Sequence, residues 1–453
     1  MRTQFSLIFV LLLITAPLWG QVEPSASGGS STQDDDSMMP LTPEVSGSFF
    51  PTEGTSGRSN YLSGGVTFGA AYDDNLFTGP AGKPEGAETY SIWPTIIYQQ
   101  KTTRTGASFI YSPGFTFYEP ITSDNSFTQN AAANFEYRLT QRATVTFQDV
   151  FEQNSSALAQ PYNLAGATVS GTGQSATPFV IVPFASQVLD STQAGLDYQY
   201  GRNGLIGGSG SYSIFHYPNL NQEPGLYNSS SEGGSGFYSR RLTPRQFLGA
   251  SYRYSTSTTD GVSTPTTSGV STSTNSQTGS VIYTAFIAHQ YTISISGGPE
   301  YSTTTTTFPG FAPVHTWSPS GNASLAWQRT HLGAALTYSR AETSGQGLLG
   351  TYRADSATAT FHWQMRPKWT SAVTASYANI KDSTPTIAFT SPNGHTIFGS
   401  TSLQYKISEH MTAIAEYDRL HESYGNIPAI AANPDIDRVS ISLNYQFTRP
   451  LGR

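Results

Sequence analysis

The chain has 453 residues, no cysteine, 12% charged and 13% aromatic residues, and a formal net charge of −7. The missing cysteines exclude disulfide scaffolds and cysteine-ligated zinc, and the acidic balance leaves no basic field for nucleic acid. Low charge with many aromatics excludes a disordered chain, and the usual charged coat of a water-soluble globule is missing.

Met1-Arg2 and the apolar run Phe5 to Leu18, with the small Gly20 behind it, have the layout of a secretory signal peptide over residues 1–20. An uncleaved anchor helix is the alternative; the run is shorter than the roughly 20 apolar residues that span a bilayer. Residues 21–58 are rich in Ser, Gly, Pro and Asp without periodicity and form a flexible N-terminal segment. Asp34-Asp35-Asp36 within it is a solvated charge run, with a metal site as the rival reading.

From residue 59 onward the hydropathy period is two. It is plain in Val66-Phe68-Ala70-Tyr72, in Leu248-Ala250-Tyr252-Tyr254 and in Leu332-Ala334-Leu336-Tyr338. In the last segment Val439, Ile441, Leu443, Tyr445 and Phe447 alternate with Ser440, Ser442, Asn444 and Gln446. No helical period follows residue 20. Short polar breaks fall near residues 100, 140, 202, 243, 288, 329, 366 and 408, and longer Gly/Ser/Thr/Pro-rich segments lie between them. A tight turn therefore recurs about every 40 residues, the length of one hairpin plus a loop. Eight turns and about nine loops give an all-β fold of about 18 antiparallel strands, with 16–18 allowed.

An open sheet in lipid would leave two bare edges, so the pattern predicts a transmembrane up-and-down β-barrel over 59–453. Both ends of such a barrel lie on the short-turn side, which is the periplasmic side in an outer membrane. The partners implied are outer-membrane lipid and lipopolysaccharide, and the barrel-assembly machinery. Aromatics near strand ends (Trp93, Tyr98, Tyr137, Tyr200, Tyr217, Trp327, Trp363, Trp369 and Phe447 among them) suit interfacial girdles; aromatic pairs of a soluble sheet are the alternative.

The polar face carries few charges. Glu136, Asp197, Arg253, Glu300 and Glu416 are in phase with it, and four acids against one base predict a mildly cation-favouring interior. Asp149 falls in the apolar phase, which calls for a position outside the lipid or a bulge. The third long loop, 154–186, holds Phe179, Val180, Ile181, Val182 and Phe184. So long an apolar stretch is costly in water and is a candidate constriction folded into the lumen, or else a strand extension above the membrane. No nucleotide, metalloprotease or nucleophile-elbow motif occurs, and no cofactor is called for. The reading is of a non-catalytic barrel that passes small solutes or saccharides. The alternatives are a component of polymer export or surface-polymer binding and, without sequence support, an outer-membrane enzyme.

The segment Gly65 to Phe77, ending Tyr72-Asp73-Asp74-Asn75, resembles the first strand of a family of outer-membrane β-barrel porins whose members often accompany exopolysaccharide genes. The resemblance implies an outer-membrane role with polysaccharide or export components as partners. The residue-level alternative for Asp73, Asp74 and Asn75 is a turn whose side chains cap their own backbone. Val439 to Phe447 is similar to the C-terminal signal by which outer-membrane barrels are recognised for insertion, although Thr448 to Arg453 follow it.

Overall fold

A computed structural model describes residues 60–75, 86–119, 125–154, 186–218, 227–260, 271–288, 290–307, 312–343, 350–383, 393–424 and 435–450. The expected leader (1–20), the N-terminal segment (21–58) and the apolar stretch of the third long loop (Phe179 to Phe184) lie outside the described residues.

Eighteen strands follow in chain order. They are β1 (Asn60–Asp73), β2 (Ala87–Lys101), β3 (Thr105–Glu119), β4 (Ser126–Arg138), β5 (Ala143–Asn154), β6 (Gln187–Tyr200), β7 (Gly204–His216), β8 (Asn228–Thr243) and β9 (Gln246–Asp260). The second half comprises β10 (Ser271–Ile287), β11 (Tyr291–Thr306), β12 (Val314–Gln328), β13 (Leu332–Thr343), β14 (Tyr352–Arg366), β15 (Trp369–Asp382), β16 (Gly394–Lys406), β17 (Met411–Tyr424) and β18 (Asp435–Pro450). Each pairs antiparallel with its neighbours in sequence, and β18 pairs with β1, so the sheet closes on itself. All eight expected short turns fall where the breaks in periodicity put them. An even strand count brings Asn60 and Pro450 to the same, short-turn end, where Tyr61 faces Pro450.

The two faces separate as a period of two requires. Val281 and Ile441 point outward and are 59% and 65% exposed, while Thr128 and Ser112 point inward and are fully buried. Two expectations need correcting. Trp93 and Tyr217 do not join the outer girdle: both are buried, and the Trp93 ring lies over Gly114, where a Cβ would collide with it. Trp93 is in phase with Ser91 and Thr95, so nearness to a strand end was a poorer guide than phase. Nor is the inner wall purely polar. Tyr352, Ala354, Ile380, Leu420 and Ile436 are buried on it toward the loop end, with Leu420 opposite Ile436 and Ala354 opposite Ile380. Burying such side chains stabilises by about 1.5–3 kcal/mol each for the larger ones.

Closure of β18 on β1 is laced by side chains. Asp74 N donates to Asp437 O (3.1 Å), Asp437 N donates to Asp74 Oδ1 (2.8 Å), and Asn75 Nδ2 donates to Asp435 O (2.8 Å). Farther down, Gln446 Nε2 donates to Ser63 Oγ, which donates to Phe447 O, and Asn444 Nδ2 donates to Thr67 Oγ1. Asp74 and Asn75 thus reach across the seam instead of capping their own backbone.

Proline marks the irregular rungs. Pro299 faces Pro319, and the β10–β11 ladder skips the rungs at Gly298 and Pro299. The register of β2 on β3 likewise sets Pro94 opposite Pro113, within a skipped stretch. The β12–β13 ladder ends at Gly321↔Arg340 after eight rungs, although β12 continues to Val314 on β11 and β13 to Thr343 on β14. In β12 the even amides face β11 (Gln328 N to Gln290 O) and the odd ones face β13 (Arg329 N to Leu332 O). Pro319, opposite Glu342 in the continued register, therefore lacks the donor needed at the next odd rung. With that rung unmade, the Glu342 amide, whose ladder acceptor would be Pro319 O, donates to Glu300 Oε2 (3.2 Å).

Candidate functional site

The candidate site is the inner wall and its two mouths, because alternation on eighteen strands delivers polar side chains there from every strand. The five sequence-predicted charges all sit in the inward phase, but on different parts of the wall. Arg253 and Glu300 are brought together: both face Thr278 of β10, one from β9 and one from β11. Glu136 lies near the short-turn end with Arg138 at 3.5 Å, both half-exposed. Asp197 lies near the same end, its carboxylate over Gly207, which has no Cβ to meet it. Glu416 accepts from Ser400 Oγ (3.0 Å) on the far side of the wall.

Around Glu416 lies a charge group that the sequence reading missed. Ser400, Asp418, Arg438 and Asp73 stand opposite one another across β16, β17, β18 and β1. Arg438 therefore has a carboxylate on either side, with Asp73 Oδ1 3.8 Å from its Nε and Asp73 fully buried. Glu422, two inward positions above Asp418, accepts from Thr396 Oγ1 (3.3 Å). Phase carried one step farther was the available signal: Arg438 is in phase with Ser440, and Asp418 with Glu416. Of the Asp73-Asp74-Asn75 turn, Asp73 belongs to this buried row and the other two to the seam.

Asp149 faces outward as its phase demands, with no bulge, since β5 keeps unbroken register with β4 and β6. It accepts from Thr192 Oγ1 (2.6 Å), and Asp190 and Glu232 share that outer face. His362 points inward over Gly333. Among the described residues no group of three or more His, Asp or Glu side chains could hold a metal ion.

The outer face has an apolar band with charged rims. On β18 the outward positions run Tyr445, Leu443, Ile441, Val439 and then Asp437, which pairs with Arg419 (3.6 Å) and accepts from Tyr417 Oη (2.6 Å). Eight residues at ~3.3 Å each make about 26 Å of strand; a strand tilt of about 40° reduces that to about 20 Å of height, against roughly 25 Å for an outer-membrane band. At the other rim Tyr291 stacks on Trp327, Trp369 packs tilted against Tyr405 (ring centroids 4.6 Å apart), and Arg329 lies over Trp327 (5.6 Å).

No family model and no curated protein matches the chain. Solved structures similar to it are barrels. They include the unliganded ferric citrate transporter FecA (10% identity, 86% of this chain and 79% of that one, TM-score 0.45). Others are OccK2 (OpdF) of Pseudomonas aeruginosa (8%, 86% and 98%, 0.44) and OccAB2 of Acinetobacter baumannii (9%, 86% and 98%, 0.42). The closed barrel described above stands on the chain's own strand pairing.

Proposed function

We propose that this protein is an outer-membrane channel that lets small hydrophilic solutes cross by diffusion through the barrel. The observation that carries the reading is the two-faced closed wall: an apolar band outside, and Ser, Thr, Asn and Gln with a minority of charges inside. A closed sheet is one of two ways to satisfy every backbone group in lipid, and eighteen strands enclose more width than side chains fill. Short turns at the end where β1 begins and β18 finishes favour a periplasmic placement of both.

Reconstitution of the full chain into planar bilayers tests this. Stepwise conductance, ohmic at 1 M KCl, is the expected result; a folded barrel silent under every voltage and salt condition overturns it. The resemblance of Gly65 to Phe77 to porins that accompany exopolysaccharide genes supports a second reading, a non-catalytic part in polymer export. Co-purification with an export assembly or a glycan is its expected signature, and recovery of the barrel alone from native membranes is the contrary result.

A further inference from the structure

Charge on this barrel is sorted by height. Within about five residues of the eight short turns stand Lys101, Arg104, Arg138, Arg142, Arg202 and Arg240. With them stand Arg241, Arg245, Arg329, Arg366, Lys368 and Lys406, twelve of the 23 Lys and Arg of the whole chain. Only three acids, Glu136, Asp197 and Glu409, share that end among the described residues. Ten of the twelve bases are exposed, and Arg241 and Lys406 are half-buried. The rest of the described wall, toward the loops, has the reverse balance: eighteen Asp and Glu against six Lys and Arg. The chain is acidic overall, so the basic collar is not a reflection of composition.

Within the collar Arg138 pairs with Glu136 (3.5 Å), both of them half-exposed. Arg329 is engaged outward, over Trp327 and with its Nε donating to Gln290 Oε1 (3.3 Å), where a lipid headgroup would meet it. Arg138, Arg241 and Lys406 are in the inward phase and face the mouth. A ring of like charge around a low-dielectric wall focuses its field into the opening and raises the local concentration of counter-ions. Charged rings at a pore mouth select by sign.

We propose that the short-turn mouth is a binding site for polyvalent anions, which the collar gathers from solution before they enter the lumen. The proposal rests on the channel reading for its route but not for its binding step. The described wall toward the loops, with carboxylates in excess, disfavours the same ligands. Binding is electrostatic, so it weakens steeply as the Debye length shrinks from about 10 Å at 0.1 M salt to about 3 Å at 1 M.

The test uses the full chain in planar bilayers of neutral lipid, inserted in known orientation, with myo-inositol hexakisphosphate as probe. At 0.1 M KCl the half-blocking concentration from the short-turn side is expected to be at least about tenfold below that from the loop side, and the difference to vanish at 1 M. The turn variant Arg104→Glu/Arg142→Glu/Arg202→Glu, at three exposed positions outside the strands, should remove most of the asymmetry and leave unblocked conductance within about twofold. Loop-side Arg353→Gln should leave the asymmetry unchanged. Equal block from both sides, or asymmetry that survives the triple variant, overturns the proposal. So does binding confined to vesicles containing phosphatidylglycerol with no effect of the soluble probe, which would make the collar a lipid anchor. If the barrel does not conduct, the channel reading fails by itself. Equilibrium dialysis of labelled probe against the detergent-solubilised chain, wild type and triple variant, then decides the binding step: retention by wild type alone supports it, and no retention overturns it.

Discussion

The seam between β18 and β1 joins residues nearly 400 positions apart in the chain, and the seam between β12 and β13 joins a hairpin with a three-residue turn. The distant pair is the better tied. It has thirteen rungs against eight, hydrogen bonds from Asp74, Asn75, Ser63, Asn444 and Gln446, and the buried Asp73–Arg438 contact. The local pair gives up its upper rungs at Pro319 and leaves the Glu342 amide to a side-chain carboxylate. Loop entropy accounts for the contrast. Closing a short turn costs little, so the β12–β13 hairpin holds with a partial ladder, whereas the ends of the barrel must be retained against a much larger closure entropy.

Three experiments bear on that contrast, and a fourth, away from both seams, sets the scale. The largest effect is expected for Arg438→Met, which strands Asp73 and Asp418 without the cation between them. A cost of about 3–5 kcal/mol is expected, read as a lowered urea midpoint for the folded, heat-modifiable band on gels. A loss under about 1 kcal/mol would show that the row is not a fastening of the closure seam. Next, Asp74→Ala/Asn75→Ala removes two side-chain hydrogen bonds and should cost about 2 kcal/mol in the same assay. If it instead matches Arg438→Met, the hydrogen bonds and not the buried charges hold the seam.

At the other seam, the amides of His315 and Trp317 face β13 above the last rung, and should exchange with deuterium at least about a hundredfold faster than those of Gly321 and Ala323. Pro319→Thr restores the missing donor and should narrow the gap; equal exchange in the parent protein would mean that the upper seam is closed. The smallest effect belongs to Glu136→Gln. Glu136 and Arg138 are half-exposed, so the change in stability should stay below about 0.5 kcal/mol.

The fold was legible from the sequence because period-two alternation and eight tight turns are local signals. They placed the strands and assigned Val439, Ile441, Tyr445 and Phe447 to the outside. The site was only partly legible. Glu300 and Arg253 could be put on the inner face by phase, but their meeting across Thr278 depends on the register of two neighbouring ladders, which one strand's pattern does not encode. Asp73 looked like a turn residue because an Asp-Asp-Asn run has strong turn chemistry; pairing with Arg438 overrides that local preference. The lengthwise sorting of charge was present as Lys and Arg beside the short turns, and it became a pattern only once those turns shared one end of a closed wall.

The even strand number has a further physical consequence. With Tyr61 beside Pro450, the wall over residues 60–450 is a ring in which no strand is privileged as the first. A circular permutant that links the neighbouring ends and opens the chain at the turn around Gly201 would keep every rung of the sheet. Its folding would then reveal whether the barrel needs a particular order of strand addition or only a full set of strands.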